Sequence, residues 1–337
     1  MAINRIKVEN FTVFDKIEID FSEGINVFVG ENGTGKTHLL KIIYSICAWK
    51  PDPLIDMDPS IAQKLQRCFQ YLPFKDLANR GIGSENADNA ITIMSWISGE
   101  NKTYKIWNYS VNGEYECEAN GLQESFPVLF IPPKEMLTHG GLEKDYIDRH
   151  LPFDVTLIDI LNKTGVSTVK NITKDMLSIL ERLSRIINGK IVYKNDRYYT
   201  ERPDGTLIDF AAEAEGYKKF GLLYRLIETG HLQKGSVLIW DEPESNLNPT
   251  LVPFLVDILF ELEYAGIQMF LATHDYFLVK YLEVRKQKHN KITYHAMHKA
   301  GMQVLHESSL KYELLENNSL INQSIELYKE EVSKVME

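Results

Sequence analysis

The segment Gly30-Glu31-Asn32-Gly33-Thr34-Gly35-Lys36-Thr37 fits the pattern G-x-x-x-x-G-K-[ST]. It follows the apolar run Ile25 to Val29. A stretch with Leu39, Leu40, Ile42, Ile43 and Ile46 at helical spacing comes after it. Strand, glycine loop and helix, in that order, are what a phosphate cradle needs. Glycines let the chain turn sharply and present backbone N–H groups to the β- and γ-phosphates. The helix N-terminus adds partial positive charge. Lys36 reaches the phosphates as a point charge, the Thr37 hydroxyl is a ligand for Mg²⁺, and His38 follows at the start of the same helix.

A cradle alone does not say what is done with the phosphate. Far downstream, Val237-Leu238-Ile239-Trp240 is an apolar run ending in Asp241-Glu242. Such a strand places Asp241 at the carboxyl edge of a parallel sheet, beside the loop, where it holds Mg²⁺ directly or through water. Glu242 is then the candidate to orient and deprotonate an attacking water. A further buried strand, Ile267 to Ala272, runs into Thr273-His274-Asp275. That brings His274 to the same edge, within reach of a γ-phosphate or the water. The chemistry these residues imply is Mg²⁺-dependent ATP hydrolysis.

The elements that must position them follow from periodicity. Ile3, Ile6 and Val8, then Val13 and Phe14, then Ile17, Ile19 and Phe21 predict a short antiparallel pair before the loop strand. The helix after the loop runs to about Trp49, where Pro51 and Pro53 end it. Between them the spacing predicts a helix over Ile61 to Leu72, strands over Ile91 to Ile97 and Thr103 to Tyr109 around a Gly99-Glu100-Asn101 turn, and a buried strand over Val128 to Ile131. Residues 142–188 read mainly as helices. Lys190 to Thr200 and Thr206 to Phe210 read as a hairpin around Pro203-Asp204-Gly205, and a helix follows from Glu215 to Thr229. Asn248 caps a helix with Pro249 at its first position. Alternating strands and helices at both ends give an α/β fold with a largely parallel P-loop sheet, an N-terminal antiparallel β subregion and an inserted, mostly helical region. The expected division is 1–50 and 211–300 as the two parts of the core, 51–210 as a mixed insertion or lid, and 301–337 as a strand and helix tail. In that tail Ile321, Ile325, Tyr328, Val332 and Val335 form one apolar seam, for docking on the chain's own core or pairing with another subunit or an effector.

Together these motifs resemble an ABC-type ATPase head of the SMC, RecF and OLD group. The opening IKVENFTVFDKIEIDFSEGINVFVGENGTGKTHLLKII resembles the group's N-terminus, WDEPESNLNP (Trp240 to Pro249) its Walker B and D-loop, and ATHD (272–275) its H-loop. The strong likeness covers about residues 1–49 and 235–280. It implies a homodimer or higher homo-oligomer closed around two ATP molecules, with a signature motif of one subunit facing the γ-phosphate held by the other. The signature candidate is Glu213 to Lys219, in which Glu215 and Gly216 would face Lys36 of the other subunit. Ala214 stands at the signature's serine position and Asn248 replaces the D-loop aspartate. Gln70 and Gln123 are the available Q-loop glutamines. Without heptad arms flanking a zinc hook, or room for a toprim nuclease, the resemblance implies a compact stand-alone ATPase. Such proteins work beside a separately encoded effector, a nuclease or toxin, in bacterial or phage-defence systems.

Composition sets limits on partners. A net charge of −10 repels a phosphate backbone as a whole, so nucleic-acid binding requires a local basic patch. The clearest run is Arg285, Lys286, Lys288 and Lys291, whose plainer reading is a solvated helix end. No apolar run approaches the ~20 residues of a membrane span. The N-terminus lacks the apolar core of a secretory signal, and a cytoplasmic protein is expected. Cys47, Cys68 and Cys117 lie far apart and give no metal spacing. Three functions compete: an ATP switch controlling an effector, a RecF-like repair ATPase acting on DNA, and a hydrolase built on His139, Asp145, Asp148, Arg149 and His150.

Overall fold

The computed structural model describes residues 2–48, 61–79, 91–97, 100–108, 115–120, 127–142, 146 and 153–336. β1 (Ile3–Phe11) and β2 (Phe14–Asp20) form the expected antiparallel pair, closing at Phe11 opposite Phe14. Their alternating apolar residues share one face because successive side chains on a strand point to opposite sides. β3 (Ile25–Gly30) then leads through the glycine loop into α1 (Lys36–Cys47).

Two helices follow, α2 (Ile61–Cys68) and the single turn α3 (Phe74–Leu77). The predicted helix over Ile61 to Leu72 stops early because Gln70 and Tyr71 both take left-handed backbone angles. β4 (Ile91–Ile97) returns along β1, and β5 (Glu100–Asn108) and β6 (Tyr115–Asn120) complete a five-stranded antiparallel sheet of order β2-β1-β4-β5-β6. Glu100 pairs with Ile97 and Asn101 with Trp96, so both belong to the strand rather than to the predicted turn. Tyr109 and the terminators Pro51 and Pro53 lie outside the described residues.

The chain then enters a second, six-stranded sheet with β7 (Val128–Ile131). Within the 142–188 stretch lie α4 (Val155–Thr164) and α5 (Lys174–Ile187). Lys190 to Thr200 is not one strand of a hairpin but two, β8 (Lys190–Lys194) and β9 (Arg197–Glu201), turning at Asn195-Asp196. Both turn residues have positive φ, the geometry a two-residue hairpin loop requires. Pro203-Asp204-Gly205 then joins β9 to β10 (Leu207–Asp209). The 51–210 span thus supplies strands to both large sheets as well as helices.

α6 (Glu215–Glu228), β11 (Val237–Asp241), α7 (Val252–Tyr264), β12 (Gln268–Thr273), α8 (Tyr276–Arg285), β13 (Ile292–Ala300), β14 (Gln303–Ser309) and α9 (Ser319–Met336) complete the chain. The central sheet runs β14-β13-β3-β12-β11-β7, and only the β13–β14 pair is antiparallel. β3, β7, β11 and β12 are buried along their whole length, which is why each reads as a mainly apolar run, interrupted in β3 by buried Asn26. Val27, Val29, Trp240 and Leu271 pack with Leu223 of α6 and Leu255 and Leu259 of α7. Phe28, Ile239 and Phe270 face the other way, onto Leu39, Leu40 and Ile43 of α1 and the antiparallel sheet. Buried Gln268 ties the two sheets together, accepting from Ile3 N–H and donating to the carbonyls of Ile3 and Ser22.

Within α9, Leu320 and Ile321 pack on the core. Ile325, Tyr328, Val332 and Val335 are exposed, so the rest of the predicted seam is not docked on its own chain.

Candidate nucleotide site

β3, β12 and β11 are adjacent and parallel, so their carboxyl ends meet on one edge. The glycine loop leaves β3 there. Gly30 has φ 147° beside β13, and a Cβ on it would lie 2.1 Å from the Met297 carbonyl oxygen. Gly35, at φ 86°, faces Phe14 and Val13, which a Cβ would meet at 2.6 Å. Side chains are therefore excluded where the loop must turn. Among the described residues, the N–H groups of Gly33 and Gly35 have no protein acceptor. Lys36 curls over the loop, donating to the carbonyls of Gly30 (2.7 Å) and Glu31 (2.9 Å). Thr34 Oγ1 donates to Glu31 O at 2.9 Å, while Glu31, Asn32 and Gly33 face outward.

Thr37 Oγ1 donates to Asp241 Oδ2 at 2.7 Å, joining the early loop to the late acidic strand end. Burial raises the Asp241 carboxyl above the usual range, against the Thr37 hydrogen bond. Burial likewise lowers the Lys36 ammonium, with Asp241, Glu242, Glu244 and Glu31 pulling it back up. Two oxygen donors in contact at the head of a phosphate loop suit Mg²⁺, which takes one or two protein oxygens and fills its octahedron with water and phosphate. The donor set therefore fits the implied metal.

Glu242 stands in the left-handed region, φ 51°, which costs a residue with a Cβ about 1–2 kcal/mol. Its N–H donates to Ala272 O at 2.8 Å, tying it to the end of β12. Its carboxylate lies 3.4 Å from His274 Nδ1, and both side chains are partly exposed. Thus Lys36, Thr37, Asp241, Glu242 and His274 are brought to one edge. His38 is placed differently: its ring bonds Thr12 Oγ1 at 3.0 Å and meets Phe69 edge-on, turned to the N-terminal hairpin. Burial, with Lys41, lowers its pKa to about 4.

Glu215 and Gly216 open α6. Gly216 is buried against Leu247 and Leu251, whereas Glu215 is exposed and pairs with Lys218 Nζ at 2.7 Å. Ala214 is the N-cap and supplies no side-chain bond, so the first N–H groups of this helix are open. Asn248 caps as expected, accepting from Thr250 N–H at 3.0 Å. Gln70 is exposed in the turn after α2. Gln123 lies outside the described residues, as do Asp145, Asp148, Arg149 and His150 of the proposed polar cluster.

Two buried charges escaped the sequence reading. Lys219 Nζ donates to Glu242 O (2.9 Å), Pro243 O (3.1 Å) and Ser245 Oγ (2.8 Å). Glu244 Oε1 accepts from Thr273 Oγ1 at 2.7 Å, and its Oε2 has no partner among the described residues. Burial raises the Glu244 carboxyl. The available signal was faint: a second acid two residues past the Asp241-Glu242 pair, and one of two adjacent lysines on α6.

The profile of the family described as "AAA domain, putative AbiEii toxin, Type IV TA system" matches residues 72–280, more than half of the chain. This chain belongs to that AAA-domain family. An "AAA ATPase domain" profile matches residues 1–132, which hold the glycine loop of this AAA protein. The AAA protein is also 41% identical over 210 residues to the DNA replication and repair protein RecF of Streptococcus suis, covering 57% of this chain and 53% of that one. Against RecF of Cytophaga hutchinsonii the identity is 48% over 50 residues, 15% and 13% of the two chains. It therefore spans about half or less of the length of these curated relatives. Its fold is that of SMC heads. The SMC head domain bound to the C-terminal winged-helix domain of ScpA matches with TM-score 0.58 at 14% identity, over 93% of this chain and 98% of that one. The head with extended coiled coil from Pyrococcus furiosus gives 0.55 at 12%, over 98% and 99%. The SMC/RecF likeness expected from the sequence is thus found again, with RecF in sequence over part of the chain and with SMC heads in fold. Among the described residues no helix is long and apolar enough to cross a membrane.

Proposed function

We propose that this protein is an ATP-hydrolysing molecular switch that dimerises around Mg²⁺-ATP and thereby controls a separately encoded effector, a nuclease or toxin, in a bacterial defence system. The observation that carries the ATP reading is the 2.7 Å contact between Thr37 and Asp241, with Lys36 on the loop and Glu242 and His274 beside it. When bound, Mg²⁺ would neutralise charge on the phosphates, held through Thr37 and Asp241. Gly33 and Gly35 N–H groups and Lys36 bind the triphosphate. Glu242 takes the proton of the attacking water, and His274 holds that water or the terminal phosphate. The uncapped start of α6, at Glu215 and Gly216, supports the dimer reading, because open N–H groups at a helix start suit a phosphate brought by a second subunit. The exposed remainder of the α9 seam supports a further protein partner.

A RecF-like ATPase acting on DNA is the second reading, favoured by the 41% identity to a RecF. The basic run gives it little support, because only Lys288 of its four cations lacks an ion pair among the described residues. Arg285 Nη1 bonds Asp257 and Pro253 O, Lys286 pairs with Glu283, and Lys291 pairs with Glu23.

Sizing chromatography tests the switch. Glu242→Gln should keep Mg²⁺-ATP bound and elute as a dimer with nucleotide and as a monomer without it. A variant that stays monomeric at saturating ATP counts against the sandwich, and gapped DNA that stimulates wild-type turnover favours the repair reading.

A further inference from the structure

Lys219 carries a contact pattern that the ATP reading has not used. It lies on α6, one turn after Glu215, and its ammonium is buried. An ammonium has three donors. Here all three end on one short segment: the carbonyls of Glu242 and Pro243 and the hydroxyl of Ser245. None of those bonds is to a carboxylate. The surrounding charges are Glu244, Glu242 and Glu215, and burial outweighs them, lowering the amine to about 8. Placing a cation out of water is unfavourable unless its hydrogen bonds are complete. A packed apolar side chain would fill the space without that cost. The arrangement makes sense if the segment it holds needs holding.

That segment does. Glu242 has left-handed backbone geometry. Its N–H is fixed by the end of β12 and its carbonyl by Lys219, so the peptide on each side of Cα is anchored to a different element. With both anchored, the carboxylate is directed toward His274. Ser245 Oγ extends the same knot, donating to Pro133 O at 3.4 Å.

We propose that Lys219 is a positioning residue for ATP hydrolysis: from α6 it fixes the backbone of Glu242 so that the carboxylate faces the attacking water. This rests on the ATPase reading given above, and it assigns α6 a role within its own subunit. The three hydrogen bonds of the Lys219 ammonium all end on protein atoms of the 242–245 segment. Its loss therefore acts on turnover and spares binding.

The test compares Lys219→Met, Glu242→Gln and the double variant, measuring Mg²⁺-ATP affinity by calorimetry and kcat by phosphate release. K219M should lower kcat by about 30-fold, as a displaced catalytic group does, with Kd changed less than about threefold. In the E242Q background K219M should change the residual kcat by less than about twofold, because the residue it positions is already disabled. Lys219→Arg, which keeps charge and donors, should recover part of the loss. If K219M does not fold, Lys219→Gln, which keeps a donor at shorter reach, carries the same comparison. A folded K219M or K219Q with wild-type kcat overturns the assignment, as does one whose loss multiplies with that of E242Q. The ATPase reading fails separately, if E242Q itself turns over at the wild-type rate. Wild-type protein with no turnover sinks both.

Discussion

Two clusters of charge stand out in this molecule, and they differ in who neutralises them. At the carboxyl edge of the central sheet, Lys36 rests on two carbonyls, loop N–H groups are unpaired, and Asp241 is held by a hydroxyl. At the end of α8, Arg285, Lys286 and Lys291 are each matched by a carboxylate of the same chain, while exposed Lys288 has no ion pair among the described residues. The first cluster leaves charge and donors over for a ligand, and the second spends them internally. The carboxyl edge therefore has the spare capacity that recognition needs.

The largest effect separating the two should come from Lys36→Ala. Removing that ammonium should weaken Mg²⁺-ATP binding about 100-fold or more by calorimetry, with the melting temperature nearly unchanged. A variant that binds ATP normally would erase the distinction. Next, Arg285→Ala should destabilise the fold by about 1 kcal/mol in denaturant titration, since it removes one of the two arginines paired with Asp257 and the donor to Pro253 O, and should leave DNA retention as it was. If DNA retention falls instead and stability does not, the α8 cluster is a binding surface after all.

The smallest effect concerns acid. His38, next to the loop, and His295, inside the sheet, are held neutral by burial at pKa values of about 4 and about 3, against 6.5 for a free imidazole. The unfolded chain takes up these protons first as pH falls. Stability from these two groups is therefore complete above about pH 6.5 and drains away as pH drops toward those lower values. Melting curves at about pH 7.5 and pH 5 should show the decline, and His38→Asn should shrink it.

The glycine loop was readable because its pattern is local: a strand, three glycines, a lysine and a helix start all lie within one continuous segment. The same holds for the acidic end of β11 and for the buried parallel strands, whose burial on both faces is written as mainly apolar runs. Turns that depend on single backbone angles were less legible. The stop after Cys68 and the Asn195-Asp196 turn rest on left-handed residues other than glycine, which the sequence does not flag strongly.

By itself, then, the sequence determined the phosphate loop, the acidic and histidine strand ends and the α/β alternation, since each is set by neighbours along the chain. Tertiary structure alone decided that Thr37 meets Asp241, that His38 turns to Thr12, that the α8 cations are spent on carboxylates, and that Lys219 grips the backbone of Glu242. The physical reason is reach. Periodicity and turn chemistry act over a few residues, whereas a buried hydrogen bond is chosen by whichever distant group the packed sheets and helices bring within about 3 Å.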